Sequence, residues 1–162
     1  MNEYFWKKKT FSNRYQIFQN KEKVGYIETP SFLSKTSKGV INAEKYVFVS
    51  KNWSNTKINV FKNQDSLRLA EIEFIKLRTK AKIVYNDEIF QFKFLDIWQT
   101  QWEIIQNNKP IIKSKDASHS HGKAMIKNED RELLLLALYA SNYYYVIGLF
   151  LIIVIIVLVI TT

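Results

Sequence analysis

The sequence predicts a mainly β protein: a closed antiparallel β-barrel of about 12 strands around a hydrophobic C-terminal α-helix that continues as a transmembrane tail. Three observations carry this. Short runs rich in Tyr, Phe, Val and Ile recur about every eight to twelve residues, with Asn, Lys, Asp and Gly clusters between them, which is the spacing of an all-β sandwich or barrel. Charge then stops at Glu132, because Leu133–Thr162 holds no Asp, Glu, Lys or Arg. Finally, the uncharged stretch Leu133–Ile160 would be about 42 Å long as a helix, too long for the inside of one small barrel.

The expected strands follow in chain order. The first group is Tyr4–Lys8, Tyr15–Gln19, Lys23–Thr29 and Val40–Asn42. The second is Lys45–Ser50, Lys57–Lys62, Arg68–Phe74 and Arg78–Tyr85. The third is Ile89–Leu95, Trp102–Gln106, Pro110–Lys113 and Lys123–Lys127. Asn20-Lys21, Asn63-Gln64-Asp65, Asn86-Asp87 and Asn107-Asn108 carry turn chemistry between them. Phe90, Phe92 and Phe94 alternate with Gln91, Lys93 and Leu95, the period-two pattern of a strand. No helical periodicity occurs before residue 128.

A helix start is expected at Asn128, a capping residue, with Glu129, Asp130 and Glu132 set against the positive helix end. Leu133, Leu134, Leu135, Leu136 and Leu138 follow, with Ala137, Tyr139 and Ala140. A surface helix would show a polar stripe, and this one is apolar all round, so something must enclose it. A barrel wall about 15–20 Å high encloses about a dozen helical residues. Ser141 and Asn142 interrupt the run at that distance. The expected division is therefore 1–142, a barrel with its central helix, and 143–162, a membrane tail. Tyr143, Tyr144 and Tyr145 are expected at the membrane interface. Val146–Ile160 has fourteen Leu, Ile, Val or Phe residues, worth on the order of −5 kcal/mol of insertion free energy. Fully buried, the same run would make a soluble barrel.

Composition narrows the function classes. The 162 residues carry 24 Lys plus Arg against 15 Asp plus Glu, a net charge of +9. The mean hydropathy of −0.19 averages over two unlike segments. Four Gly and two Pro argue against collagen-like or linker-rich classes, and 15% aromatic content argues against disorder. With no Cys, disulfides, thiol nucleophiles and thiolate metal sites are excluded. The start, Tyr4-Phe5-Trp6 before Lys7-Lys8-Lys9, has the wrong order for a secretory signal.

The opening YFWKKKTFSNRYQIFQNKEKVGYIETP and the closing EDRELLLLALYASNYYY together resemble the tubby C-terminal-like superfamily, which includes tubby domains, phospholipid scramblases and LURP-one-related proteins. The first is two aromatic-rich strands, and the second is an acidic start to a Leu-rich helix. The resemblance covers nearly residues 1–145 and implies a closed barrel wrapped round its last helix. It also implies association with membrane lipid. The chain departs from that pattern in the fifteen further apolar residues beyond the expected helix end.

Lys76, Arg78, Lys80 and Lys82 alternate with Leu77, Thr79, Ala81 and Ile83, so a strand would place four cations on one face. Such a stripe suits anionic lipid, at about 1 kcal/mol per basic residue near the surface. It equally suits a solvated outer face or a guarded sheet edge. Lys7, Lys8 and Lys9 are a second anion-binding candidate. His119 and His121 are two apart, but a closed metal site usually has four ligands, so solvated loop residues explain them and no metal is expected. Asp96 and Glu103 flank Trp98 and Trp102; a turn between strands accounts for them more simply than paired catalytic carboxylates. No Ser-His-Asp arrangement, phosphate-cradling glycine loop or HExxH occurs.

The expected function is a membrane-anchored, non-enzymatic binding or scaffold domain without cofactor. Its partner would be the membrane, through anionic phospholipid, with the basic domain on the cytoplasmic side. Scramblase-like lipid movement is an alternative. So is a soluble basic barrel binding nucleic acid or protein, although a membrane tail would hold the domain away from most nucleic acid.

Overall fold

A computed structural model describes residues 2–9, 12–30, 34–51, 54–63, 67–75, 79–127 and 129–161, without the side chains of 149 and 161. Twelve strands precede one helix. They are β1 (Asn2–Lys8), β2 (Arg14–Gln19), β3 (Glu22–Glu28), β4 (Thr36–Ile41), β5 (Glu44–Ser50) and β6 (Lys57–Lys62). They continue as β7 (Arg68–Ile75), β8 (Lys80–Tyr85), β9 (Glu88–Phe94), β10 (Trp102–Gln106), β11 (Lys109–Lys115) and β12 (His121–Ile126). The helix α1 spans Arg131–Thr161. Each strand pairs antiparallel with its sequence neighbours, and β1 also pairs with β12, which closes the barrel. Closure leaves no free sheet edge, the standing hazard of an open β-sheet.

Alternation fixes which side chains enter. In β9, Phe90, Phe92 and Phe94 are buried while Glu88 and Gln91 are exposed. In β8, Ala81, Ile83 and Tyr85 point in and Lys80 and Lys82 point out. Of the four expected turns, one has Gln64 and Asp65 outside the described residues. The other three are tight: Asn20-Lys21, Asn86-Asp87 and Asn107-Asn108 each hold two consecutive positive φ angles. That is the hairpin geometry matching strand twist, and Asn and Asp tolerate it. Asn42-Ala43 makes a fourth such turn. It removes Asn42 from the expected strand, and β4 instead runs back to Thr36. This strand is poorly visible in sequence because its inward residues include Ser37 and Gly39. They are small because the helix passes there. A Cβ on Gly39 would lie 3.2 Å from Leu135 Cδ2 and 3.3 Å from the Phe48 ring.

All four tight turns and the start of the helix fall at one end of the barrel, its base. The C-terminal ends of β1, β3, β5, β7, β9 and β11 fall at the other end, its mouth, with the described loops 95–101 and 116–120. Eight strands leave a barrel interior that side chains alone can fill, and diameter grows with strand number. Twelve strands leave room for a helix, whose diameter with side chains is about 10–12 Å. Leu133 to Ala140 fill that space, none more than 4% exposed. The Tyr139 ring stacks on Phe48 at 4.3 Å and the Tyr143 ring on Phe74 at 3.6 Å.

The helix stays inside longer than its sequence suggests. Tyr143 and Tyr144 are buried, so the expected boundary after Asn142 falls within the barrel. The aromatic residues find partners in Phe74, Phe92 and Phe94 of the wall, which extends past the Ser141-Asn142 interruption. Emergence is gradual over Tyr145–Gly148, and all residues of 150–160 are exposed. The outer part of the tail is therefore not enclosed by its own barrel. The helix is long and apolar enough to cross a membrane, with a mean hydropathy of 3.0 over its most apolar window.

Candidate functional site: the barrel mouth and its basic flank

The base of the barrel fixes the helix before the mouth can present it. Asp130 accepts a hydrogen bond from the Leu133 N–H at 2.9 Å, satisfying an orphan donor of the first turn. The expected cap, Asn128, lies outside the described residues, and Asp130 performs this role. Glu132 accepts from the Tyr46 hydroxyl at 2.6 Å, the Tyr85 hydroxyl at 2.7 Å and Lys62 Nζ at 2.9 Å. Burial pushes this carboxyl up, but the bonds from Lys62, Tyr46 and Tyr85 outweigh it and hold it below the ordinary range. Arg131 donates to the Tyr4 hydroxyl at 2.8 Å and to Asn42 Oδ1 at 2.5 Å. The charged residues just before the uncharged run thus form a polar lock joining helix, β1, β5, β6 and β8. Sequence reading assigned Glu132 to the helix dipole and missed these partners, which come from distant strands.

At the mouth, Tyr144 donates to the carbonyls of Ile75 and Lys80, which hold the ends of β7 and β8 against the helix. Tyr145 donates to the Gln99 carbonyl at 2.5 Å. The loop 95–101 that contains Gln99 is organised by Asp96. Its carboxylate accepts from the Thr100 N–H at 3.0 Å, the Thr100 hydroxyl at 3.1 Å and the Gln101 N–H at 2.7 Å. The Leu95 N–H bonds to the Gln101 carbonyl at 2.9 Å and closes the loop. Ile97 and Trp98 stand at its tip, 87% and 79% exposed. A recess of about 470 Å³ beside the emerging helix is lined by Ser54, Phe74, Thr79 and Gln99 of the wall and mouth and by Tyr143, Tyr144, Ile147, Gly148, Phe150 and Leu151 of the helix.

Of the expected basic stripe, Lys76 and Arg78 lie outside the described residues. β8 begins at Lys80, after Thr79 with φ 50°. Lys80 and Lys82 do share the outer face, and Lys80 sits opposite Lys93 of β9. Lys82 faces Gln91 on one side and Glu73 on the other. The three lysines line a shallow recess of about 500 Å³ with Ile75, Ile89 and Gln91. Lys93 also pairs with Glu103 at 3.1 Å. Its membership came from strand pairing, which sequence spacing does not reveal.

Lys7, Lys8 and Lys9 separate by strand parity. Lys7 Nζ lies 5.0 Å above the Phe18 ring on the outer face, and Lys8 Nζ lies 5.5 Å from the Tyr15 ring at the mouth. Burial lowers the Lys8 pKa. Lys9 is exposed at the mouth. His119 also belongs to the mouth, where its carbonyl accepts from the Tyr15 hydroxyl at 2.6 Å. Burial first, and Lys8 second, lower its pKa. His121 instead has Nδ1 near the hydroxyls of Ser118 and Ser120, at 3.1 and 3.0 Å, so the two imidazoles serve different neighbours. Asp96 and Glu103 are likewise separate, one folded onto its loop and the other paired with Lys93.

Leu133, Leu134, Leu135, Leu136 and Leu138 all lie in the core, as a central helix requires. Tyr143, Tyr144 and Tyr145 form the upper layer of that core and the rim of the mouth, rather than a belt beyond it. Comparison of the chain with protein-family models, with curated proteins and with solved structures found no match.

Proposed function

We propose that this protein is a non-enzymatic, membrane-anchored barrel of tubby-like type that serves as a binding or scaffold domain on anionic membrane lipid. The observation that carries this reading is the course of α1. It leaves a closed barrel and continues for Phe150–Ile160 as an exposed, wholly apolar helix. Exposed side chains of this kind are costly in water and favourable in hydrocarbon. Monomeric soluble proteins rarely expose so large a continuous apolar surface. The basic barrel beside it supports a cytoplasmic orientation, because Lys and Arg near a span favour that side. The closed barrel around its own helix is what the tubby resemblance implies, and that likeness supports the lipid-associated reading.

The test has two arms. Membrane fractionation with an alkaline wash should retain the full chain in the pellet and release a chain ending at Gly148; a full chain that stays soluble without detergent overturns the anchor. The Gly148 chain should then bind vesicles containing phosphatidylserine, and Lys80→Glu with Lys82→Glu should weaken that binding. Binding unchanged by the two substitutions removes the basic flank from the reading. Stronger retention on single-stranded nucleic acid than on anionic vesicles would favour the nucleic-acid alternative.

A further inference from the structure

The loop 95–101 shares the barrel mouth with the emerging helix, and its tip is exposed. Inside the barrel the last well-buried helix residue is Tyr144, and no polar spacer follows it. Val146, Ile147 and Gly148 are partly buried, and Phe150 is already 54% exposed. From Tyr145, where the helix begins to emerge, to Phe150 is five residues, a rise of about 7.5 Å. The headgroup layer on each side of a bilayer is about 5–8 Å thick. Hydrocarbon contact at Phe150 therefore puts the barrel mouth at the outer level of the headgroup layer, and the barrel cannot stand off from the surface on a linker.

The loop reaches that level. The Tyr145 hydroxyl binds the Gln99 carbonyl, and Gln99 lines the recess shared with Ile147, Gly148, Phe150 and Leu151. Trp98 is the residue next to it. Ile97 and Trp98 are among the most exposed large apolar side chains, and Leu95 at the base of the loop is 47% exposed. In water this is an unfavourable arrangement, whereas Trp at a headgroup boundary is a favoured one. The Asp96 hydrogen bonds hold the tip in shape before any lipid arrives. Lys9, exposed at the same mouth, supplies positive charge towards anionic headgroups.

From this we infer that the loop 95–101 is a membrane-inserting wedge: Ile97 and Trp98 enter the headgroup–acyl boundary of the same bilayer that α1 enters, so the barrel is seated on the membrane mouth-down. This rests on the anchored reading above and adds a second, independent point of contact. The occupant is a lipid bilayer, because the surface is continuous with the apolar helix that emerges beside it.

The chain has no Cys, so single labelling sites can be introduced without background. Full-length chains with Trp98→Cys, Asp87→Cys at the base and Ile156→Cys in the tail are each labelled with an environment-sensitive fluorophore. They are reconstituted in phosphatidylcholine–phosphatidylserine vesicles containing lipids spin-labelled near the headgroup or deep in the acyl chain. The label at 98 should lose most of its emission to the shallow quencher and shift to the blue, the label at 156, about 9 Å of helix beyond Phe150, should respond to the deep quencher, and the label at 87 should respond to neither. Ile97→Cys, at a position 87% exposed, should repeat the result at 98. Quenching at 156 without quenching at 97 or 98 overturns the wedge while leaving the anchor intact. Absence of quenching at 156 overturns the anchor and the wedge together.

Discussion

The inner and outer halves of α1 have nearly the same chemistry and opposite surroundings. From Leu133 to Tyr144 the helix is buried by protein, while from Phe150 to Ile160 its apolar side chains are exposed. Both halves are apolar on every side, so neither shows a stripe that would say which surface it meets. The inner half is specified by shape. Gly39 makes way for Leu135, Phe48 stacks on Tyr139, and Phe74 stacks on Tyr143. On the anchored reading proposed above, the outer half needs only hydrophobicity, since lipid adapts to any apolar surface. Uniform greasiness therefore has two meanings, and the difference lies in how far substitution is tolerated.

Truncation should give the largest effect. A chain ending at Asp130 lacks the central helix and should show no cooperative unfolding, whereas a chain ending at Gly148 should unfold cooperatively in urea. A cooperative transition from the Asp130 chain would mean the barrel does not depend on the helix. Next is the contrast between Leu135→Ala and Ile153→Ala in the Gly148 and full-length chains respectively. The first should lower barrel stability by about 2–5 kcal/mol, since it opens a cavity in a close-packed core. The second should leave it within about 0.5 kcal/mol. Equal losses from both would erase the distinction between the halves.

The polar lock at the base should matter less. Glu132→Gln weakens a carboxylate with three donors and should cost about 1–3 kcal/mol at neutral pH. Because the folded pKa of Glu132 is depressed, its contribution is complete above the ordinary carboxylate range and fades as pH falls through the depressed value. The gap between wild type and Glu132→Gln should therefore shrink below about pH 4.5. Asp130 works in the opposite sense, since burial raises its pKa and acid favours its folded form. It is present in both chains, so the difference in urea midpoint is the quantity to measure. A gap that is constant from pH 7 to pH 3 would show that the charge on Glu132 contributes nothing. The smallest effect concerns Asn142, 1% exposed, whose Nδ2 has no hydrogen-bond partner among the described residues. Asn142→Leu should raise stability by about 1 kcal/mol, and a loss would reveal a partner for that amide.

Much of the barrel was legible because strands announce themselves locally. Alternation in Phe90–Leu95 and the Asn-rich turn pairs state both the period and the reversals, and every expected strand overlaps an observed one. The faint strand was β4, where small inward residues make room for the helix and carry no hydrophobic signal. The site was less legible. Lys93 joins Lys80 and Lys82 through the pairing of β8 with β9, and Glu132 meets Tyr46, Lys62 and Tyr85 through barrel closure. Ile97 and Trp98 read in sequence as ordinary turn neighbours, and only the bond from Tyr145 to the Gln99 carbonyl ties their loop to the emerging helix.

By itself the sequence determined a basic, cysteine-free chain of many short strands and one uncharged helix too long for a single environment, because composition and period are properties of neighbouring residues. The tertiary structure decided where that helix leaves the protein, after Tyr144 rather than at Asn142, because the exit depends on the height of a wall built from twelve distant segments. It also decided which loops share the mouth with the emerging helix. Antiparallel closure sends alternate connections to opposite ends, and no local pattern along the chain encodes which end the helix will leave.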